Sequence, residues 1–351
     1  MAAPTIAVTA PGYWQVAAGS EGEGRDYSAW FISHGIAFVG GDQQTQCILQ
    51  IKAGDRIALK RGTSQLVAVG IARECNGVVA GQNDKPWLMD FDGWELPAYC
   101  YVDWHPLPQP LECKGFIQGT VSGIDKTNIR ETVDHFLETL PARASYDPEP
   151  QCPAKITVEQ ILDFLIDNGL RPGTAEDFVQ ALNRIRLLVN YYWRRVQDPR
   201  EVREHETRTF LIVPLLIALG WPEHQLKIEL KVSGGRVDIA GFKRPFFRNS
   251  QGAYNLQDCT LLVESKGFSK GLTYAAGQGH TYASQFPNCK VVIASNGYCY
   301  KAYCRTEAGF SDRPSAYLNL LNPTEAFPLD PANVKGALEV FRLLLPSSSF
   351  D

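Results

Sequence analysis

A chain of 351 residues exceeds the usual single-domain range, so two domains and a connector are expected, each domain large enough for its own core. Hydrophobic residues at 44% and charged residues at 21% exclude general disorder. The formal net charge of -4 excludes a uniformly basic nucleic-acid coat, so any phosphate contact has to come from local clusters.

Residues 13 to about 108 are rich in glycine, aromatics and short β-like runs, among them Ile36 to Gly40, Arg56 to Lys60, Leu66 to Ala72 and Tyr99 to Trp104. They read as a compact β-barrel-like domain. Prolines cluster from Pro106 to Pro110, and Ile129, Val133, Phe136, Leu137 and Leu140 then recur at helical spacing. After a second break at Pro141 to Pro153, helices are expected at Val158 to Asn168, with a Thr157 cap and a Gly169 stop, and at Ala175 to Val196. From Pro199 a helix, two strands, a Phe- and Arg-rich insertion, a strand at Thr260 to Ser265, a helix near Ala275 to Phe286 and two further strands predict a mixed α/β domain. A last helix is expected from Ala332 to Leu345. The boundaries follow as 1–115, a connector at 116–198, and 199–351.

In Leu261-Leu262-Val263-Glu264-Ser265-Lys266, the two-residue period of a strand puts Glu264 and Lys266 on one face. A hairpin with the strand holding Gly235-Arg236-Val237-Asp238-Ile239 sets a second carboxylate, Asp238, beside Glu264. Converging carboxylates suit Mg2+, with Mn2+ as a substitute, because these ions take hard oxygen ligands and keep waters that can attack phosphorus. Lys266 can orient such a water or offset charge in the transition state. Read without its surroundings, the same trio is a turn acid and a surface ion pair.

The surroundings resemble the PD-(D/E)xK nuclease superfamily, in particular the N-terminal nuclease domain of type I restriction subunits. The likeness covers about residues 200 to 305: Glu206-Thr207-Arg208 leading into Val213-Pro214-Leu215-Leu216 and Leu219-Gly220-Trp221, then Gly235 to Asp238, Val263 to Lys266, Gln278 to Ala283, and Ser295-Asn296-Gly297. It implies that Asp238 and Glu264 bind metal, that Lys266 assists the water, that Gln278 and Tyr282 lie near the scissile phosphate, and that Glu206 is a further ligand or water-mediated contact. No proline precedes Asp238, a departure from the family pattern. Gln278 and Tyr282, four apart on a helix, also fit plain packing.

The N-terminal segment resembles the PUA-like group that includes EVE and YTH domains. The likeness covers about residues 12 to 106, through Tyr13-Trp14-Gln15-Val16, Tyr27-Ser28-Ala29-Trp30, Gly35 to Gly40, Gly54-Asp55-Arg56-Ile57, Val69-Gly70-Ile71-Ala72 and Tyr101-Val102-Asp103-Trp104. It implies a reader that holds an extruded modified base between aromatic rings, with Trp30, Trp87 and Trp94 as cage candidates, for each of which ordinary core packing is the alternative; Trp14 and Trp104, inside expected strands, read as core. Arg184, Arg186, Arg194 and Arg195, interleaved with Tyr191, Tyr192 and Trp193, and Lys243 and Arg244 in the insertion, are the candidate DNA contacts; a solvated helix face and a self-packed loop are the bland alternatives.

Pairing a reader with a cutter predicts a modification-dependent restriction endonuclease acting on double-stranded DNA with modified cytosine, as a homodimer at least on DNA. The alternatives are a non-catalytic modified-DNA binding protein, or a nuclease for unmodified DNA sequence or RNA. Nine scattered cysteines without Cys-x-x-Cys spacing argue against a zinc ribbon and for reduced thiols in a cytoplasmic protein. The sequence shows no leader, no membrane-length apolar run and no Gly-x-x-x-x-Gly-Lys-Ser/Thr loop, so neither a membrane role nor an intrinsic NTPase is expected.

Overall fold

A computed structural model describes residues 10–20, 25–195, 198–248, 254–272 and 275–346. The chain divides into two compact units, 1–150 and 151–351. Both are built on seven-stranded sheets, so the molecule is a multi-domain mixed α/β protein with one sheet curled into a half-barrel.

The first unit runs β1 (Tyr13–Ala17), a small ribbon of β2 (Gly19–Ser20) and β3 (Arg25–Asp26), α1 (Ser28–His34), β4 (Ile36–Val39) and α2 (Asp42–Ile48). It continues with β5 (Arg56–Arg61), β6 (Gln65–Ala72), β7 (Ala80–Gln82), a 3-10 turn at Pro86–Asp90, β8 (Ala98–Glu112), β9 (Val121–Gly123) and α3 (Thr127–Thr139). Sheet order is β4-β8-β6-β5-β1-β9, with β7 also on β8. The proline cluster expected to end this domain lies inside β8. Its ladder with β6 shifts register between Leu66 and Ala68, paired with Leu111 and Pro106, so Pro108 and Pro110 fall where no N–H is required. Beyond it, β9 pairs with β1, and α3 buries Ile129 and Val133 against Leu66 and Val69.

The second unit begins with α4 (Val158–Asp167) and α5 (Ala175–Arg194). The helices of 116–198 are thus shared between the two units. Thr157 Oγ1 accepts from the Gln160 amide at 3.3 Å while Gln160 Oε1 accepts from the Thr157 amide at 2.9 Å, and Gly169 ends the helix at φ +107°, as the sequence predicts. Next come α6 (Glu204–Thr207), a π-helical turn (Arg208–Ile212) and α7 (Val213–Ala218), then β10 (Leu226–Val232), β11 (Gly235–Phe242) and β12 (Cys259–Ser265). The chain closes with α8 (Ala275–Ala283), β13 (Val291–Ser295), β14 (Cys299–Thr306), β15 (Gly309–Phe310), β16 (Ala316–Asn319) and α9 (Ala337–Leu344).

Sheet order is β10-β11-β12-β13-β14-β15, with β16 also on β14. Among the described strand pairs of this sheet β12–β13 alone is parallel, and α8 is the crossover that parallel strands require. The helix therefore starts above the end of β12 that carries Glu264. All nine cysteines are free, and Cys100, Cys113, Cys259, Cys289 and Cys299 are buried as small apolar side chains. No helix among the described residues is long and apolar enough to cross a membrane.

Candidate metal centre

The antiparallel register that pairs Ile239 with Val263 brings Asp238 on β11 level with Glu264 on β12. Asp238 Oδ2 accepts from both the amide and the hydroxyl of Ser265, at 2.7 and 2.8 Å, so the buried serine between Glu264 and Lys266 fixes the aspartate's orientation. A third carboxylate comes from Glu204 at the start of α6. One oxygen from each of Glu204, Asp238 and Glu264 lies within 4.8 Å of the others. Three hard oxygen donors from three separate elements are a set that Mg2+ or Mn2+ can accept, each ion filling its remaining positions with water.

Crowding these acids has an electrostatic cost. Glu264 is 3% exposed. Burial pushes its carboxyl up to about 7, Lys266 opposes the rise, and the Asp238 and Glu204 charges add to it. Burial and the neighbouring Asp238 charge raise Glu204 as well. A divalent cation is the natural partner for such a group.

Lys266 Nζ donates to Glu264 Oε1 at 2.7 Å and to Gln278 Oε1 at 3.1 Å, and Gln278 Nε2 donates to the Tyr282 hydroxyl at 3.3 Å. Four side chains chosen from the sequence thus form one hydrogen-bonded chain, Glu264, Lys266, Gln278 and Tyr282. Gln278 is exposed, whereas the Tyr282 ring is buried in the core. Gly279 explains how α8 comes so near: a Cβ there would lie 2.5 Å from Val292 Cγ1 and 3.8 Å from Glu264 Cβ. His280 faces elsewhere, stacked on Phe310 and edge-on to Tyr303.

Glu206, the helical acid favoured by the sequence, is not in the trio. Its carboxylate accepts from the Arg203 amide at 2.9 Å and closes the N-terminus of α6. Sequence reasoning missed Glu204 and the role of Arg208. Their four-residue spacing, which puts both on one helical face, was the available signal. Arg208, 7% exposed, donates from Nη1 to Asp238 Oδ1 at 2.6 Å and from Nη2 to Glu229 Oε1 at 2.7 Å.

In the first unit Trp30 and Trp87 come together, ring centroids 5.8 Å apart, with Phe38 and Phe91 packed beside them. This cluster is occupied by the protein itself. His34 stacks on Trp30 at 3.7 Å, and Trp87 is 2% exposed with its N–H given to Glu149 at 3.2 Å. Trp94 lies in the turn closed by its bridge to Phe91. Trp104 is fully buried, as expected of a core residue, and Trp14 is half-buried with its N–H on Asp55.

Of the basic candidates, Arg184 and Arg194 on α5 and Arg195 just past its end are exposed, near Leu187 and Tyr191. Arg186 is not available in the same way: it is half-buried, and its Nε donates to the Leu320 carbonyl at 2.7 Å. Lys243 and Arg244 are exposed on an insertion that packs on itself through Phe242, Phe246 and Tyr254. Compared with known proteins, the chain matches no family model, no curated protein and no solved structure, so the geometry of its own side chains carries the functional argument.

Proposed function

We propose that this protein is a modification-dependent DNA endonuclease, in which the second unit hydrolyses phosphodiester bonds with Mg2+, or Mn2+ in its place, and the first recognises a modified base, modified cytosine before others. The observation that carries the reading is the convergence of Glu204, Asp238 and Glu264 beside the Lys266 amine. Carboxylates from three elements and an ammonium from a fourth position are the parts needed to cut a phosphodiester. When bound, Mg2+ would supply a Lewis acid and a water of lowered pKa.

The chain's own residues would do the rest. Lys266, held between Glu264 and Gln278, orients the attacking water and offsets the negative charge that builds on the phosphoryl oxygens. In hydrolysis the water oxygen bonds to phosphorus and gives up a proton to solvent, the bond from phosphorus to the leaving sugar oxygen breaks, and that oxygen takes a proton from solvent. Arg184, Arg194 and Arg195 suit the sequence-independent phosphate contacts that set register. Concerted cutting of both strands calls for a second copy, so a homodimer on DNA belongs to the proposal. A cytoplasmic role against invading modified DNA fits these parts.

The test is a cleavage panel of duplexes differing only in 5-methylcytosine, 5-hydroxymethylcytosine or 6-methyladenine, with Mg2+ or chelator. Cleavage confined to a modified duplex and lost in Glu264→Ala, with DNA affinity kept, is the expected result; equal cutting of the plain duplex sinks the modification requirement, and retained cleavage in the variant sinks the site. A second reading, a nuclease with no modified-base requirement, is favoured by one observation: the ring face of Trp30 is already covered by His34.

A further inference from the structure

Among the described residues Arg208 is the one strongly buried arginine at the carboxylate cluster, and two irregular pieces of backbone aim it there. The helix from Glu204 to Ala218 contains a π-helical turn at Arg208–Ile212. That wide turn adds a residue, so Leu211, Ile212, Leu215 and Leu216 stay buried in the core while Glu204 and Arg208 share the side toward Asp238. Across the sheet, Glu229 lies between the paired residues Ile228 and Leu230, level with Asp238, and adopts φ +53°. A left-handed conformation in a non-glycine strand residue is unfavourable and persists only where the surroundings impose it. Here it brings the glutamate to the second arm of the guanidinium.

The two acids are unlike. Asp238 has a side chain only 14% exposed and belongs to the cluster, whereas that of Glu229 is 49% exposed and does not. Arg208 therefore spans the metal-ligand side and the solvent side. We infer that Arg208 is a positioning residue and an internal counter-cation: it holds Asp238 in place in the metal-free protein and yields Asp238 Oδ1, leaning on Glu229, when a divalent ion enters. The inference rests on the metal-centre reading and adds a regulation to it, because the resident cation and the incoming one compete for one carboxylate.

Competition gives signs that a purely structural arginine would not. Arg208→Met removes a positive charge from the site, so the metal-free protein loses stability while its affinity for a divalent ion rises. Glu229→Gln removes the charge that draws the guanidinium away from Asp238, so affinity falls. The experiment is titration of the full chain with Mn2+ in the absence of nucleic acid, read by calorimetry, together with melting in chelator and in saturating Mn2+.

Arg208→Met is expected to bind Mn2+ about tenfold more tightly and Glu229→Gln about threefold more weakly than the parent. The melting deficit of Arg208→Met in chelator is expected to vanish in saturating Mn2+. Weaker or unchanged binding by Arg208→Met, or a deficit that persists with metal, overturns the inference. Should that variant fail to fold, unchanged affinity in Glu229→Gln overturns it alone, because Glu229 is exposed and its replacement spares the core. Failure of the underlying reading looks different: the parent and Asp238→Asn would then bind Mn2+ equally or not at all, and the role of Arg208 falls with it.

Discussion

Glu264, nearly sealed from water and facing two other carboxylates, keeps its proton to about 7, where an ordinary glutamate is long since ionised. Its folded pKa lies above its unfolded value, so the folded state binds the extra proton. That stabilisation is fully present below about 4.5 and lost as pH rises through about 7, with Glu204 shifted in the same direction. The metal-free protein should thus lose up to about 3 kcal/mol between those limits. Melting in chelator across pH 4.5 to 8 checks it: Glu264→Gln should flatten the slope, and an unchanged slope in that variant would refute the assignment.

Asp238 and Glu264 were legible because the strand period is two and leaves no freedom in which face a residue takes, and Lys266, one residue past the end of β12, keeps the alternation because its amide still donates to the Ser295 carbonyl. The helical acid was not. Glu206 came with the family likeness, and a phase carried back from the apolar residues 211 to 219 to 204 would cross the π-helical turn, where one inserted residue rotates it by roughly a quarter turn. Nothing in the composition of Arg208-Thr209-Phe210-Leu211-Ile212 announces that insertion.

Among elements, α8 shows how closely packing and chemistry are tied. The helix bears Gln278 and Tyr282 yet meets the sheet through Gly279, where no side chain fits above Val292. Gly279→Val should push α8 outward and cost about 1–3 kcal/mol in urea unfolding. It should also lower kcat more than DNA affinity, since Gln278 then loses its reach to Lys266. Undiminished stability would mean that the helix seat is looser than its geometry. Thr157 and Gly169 were readable as helix ends because capping is local chemistry; the prolines of β8 misled because a strand can pass through them where its ladder pauses.

Across the whole molecule, two units with separate cores make separable stabilities natural. Scanning calorimetry should show two transitions, with Mn2+ raising only the one that belongs to residues 151–351 and a modified oligonucleotide raising the other. A single transition moved equally by both ligands would argue for one cooperative body. The α/β class of the second unit was visible in its strand and helix order, since a parallel pair demands a crossover. What sequence could not give was the state of the aromatic cluster: it supplies Trp30 and Trp87, but whether their faces are open depends on His34 and Glu149, one four residues away and the other more than sixty.

Glu229 has one more consequence, for life in a crowded solution. β10 is the outermost strand of its sheet order, and such a strand offers unpaired amides and carbonyls to any other extended chain. A left-handed residue near its middle breaks the flat, regular run that strand addition requires, and Lys227, Glu229 and Lys231 along the strand are exposed and charged. The kink that serves the arginine should thus also make β10 a poor template for an added strand.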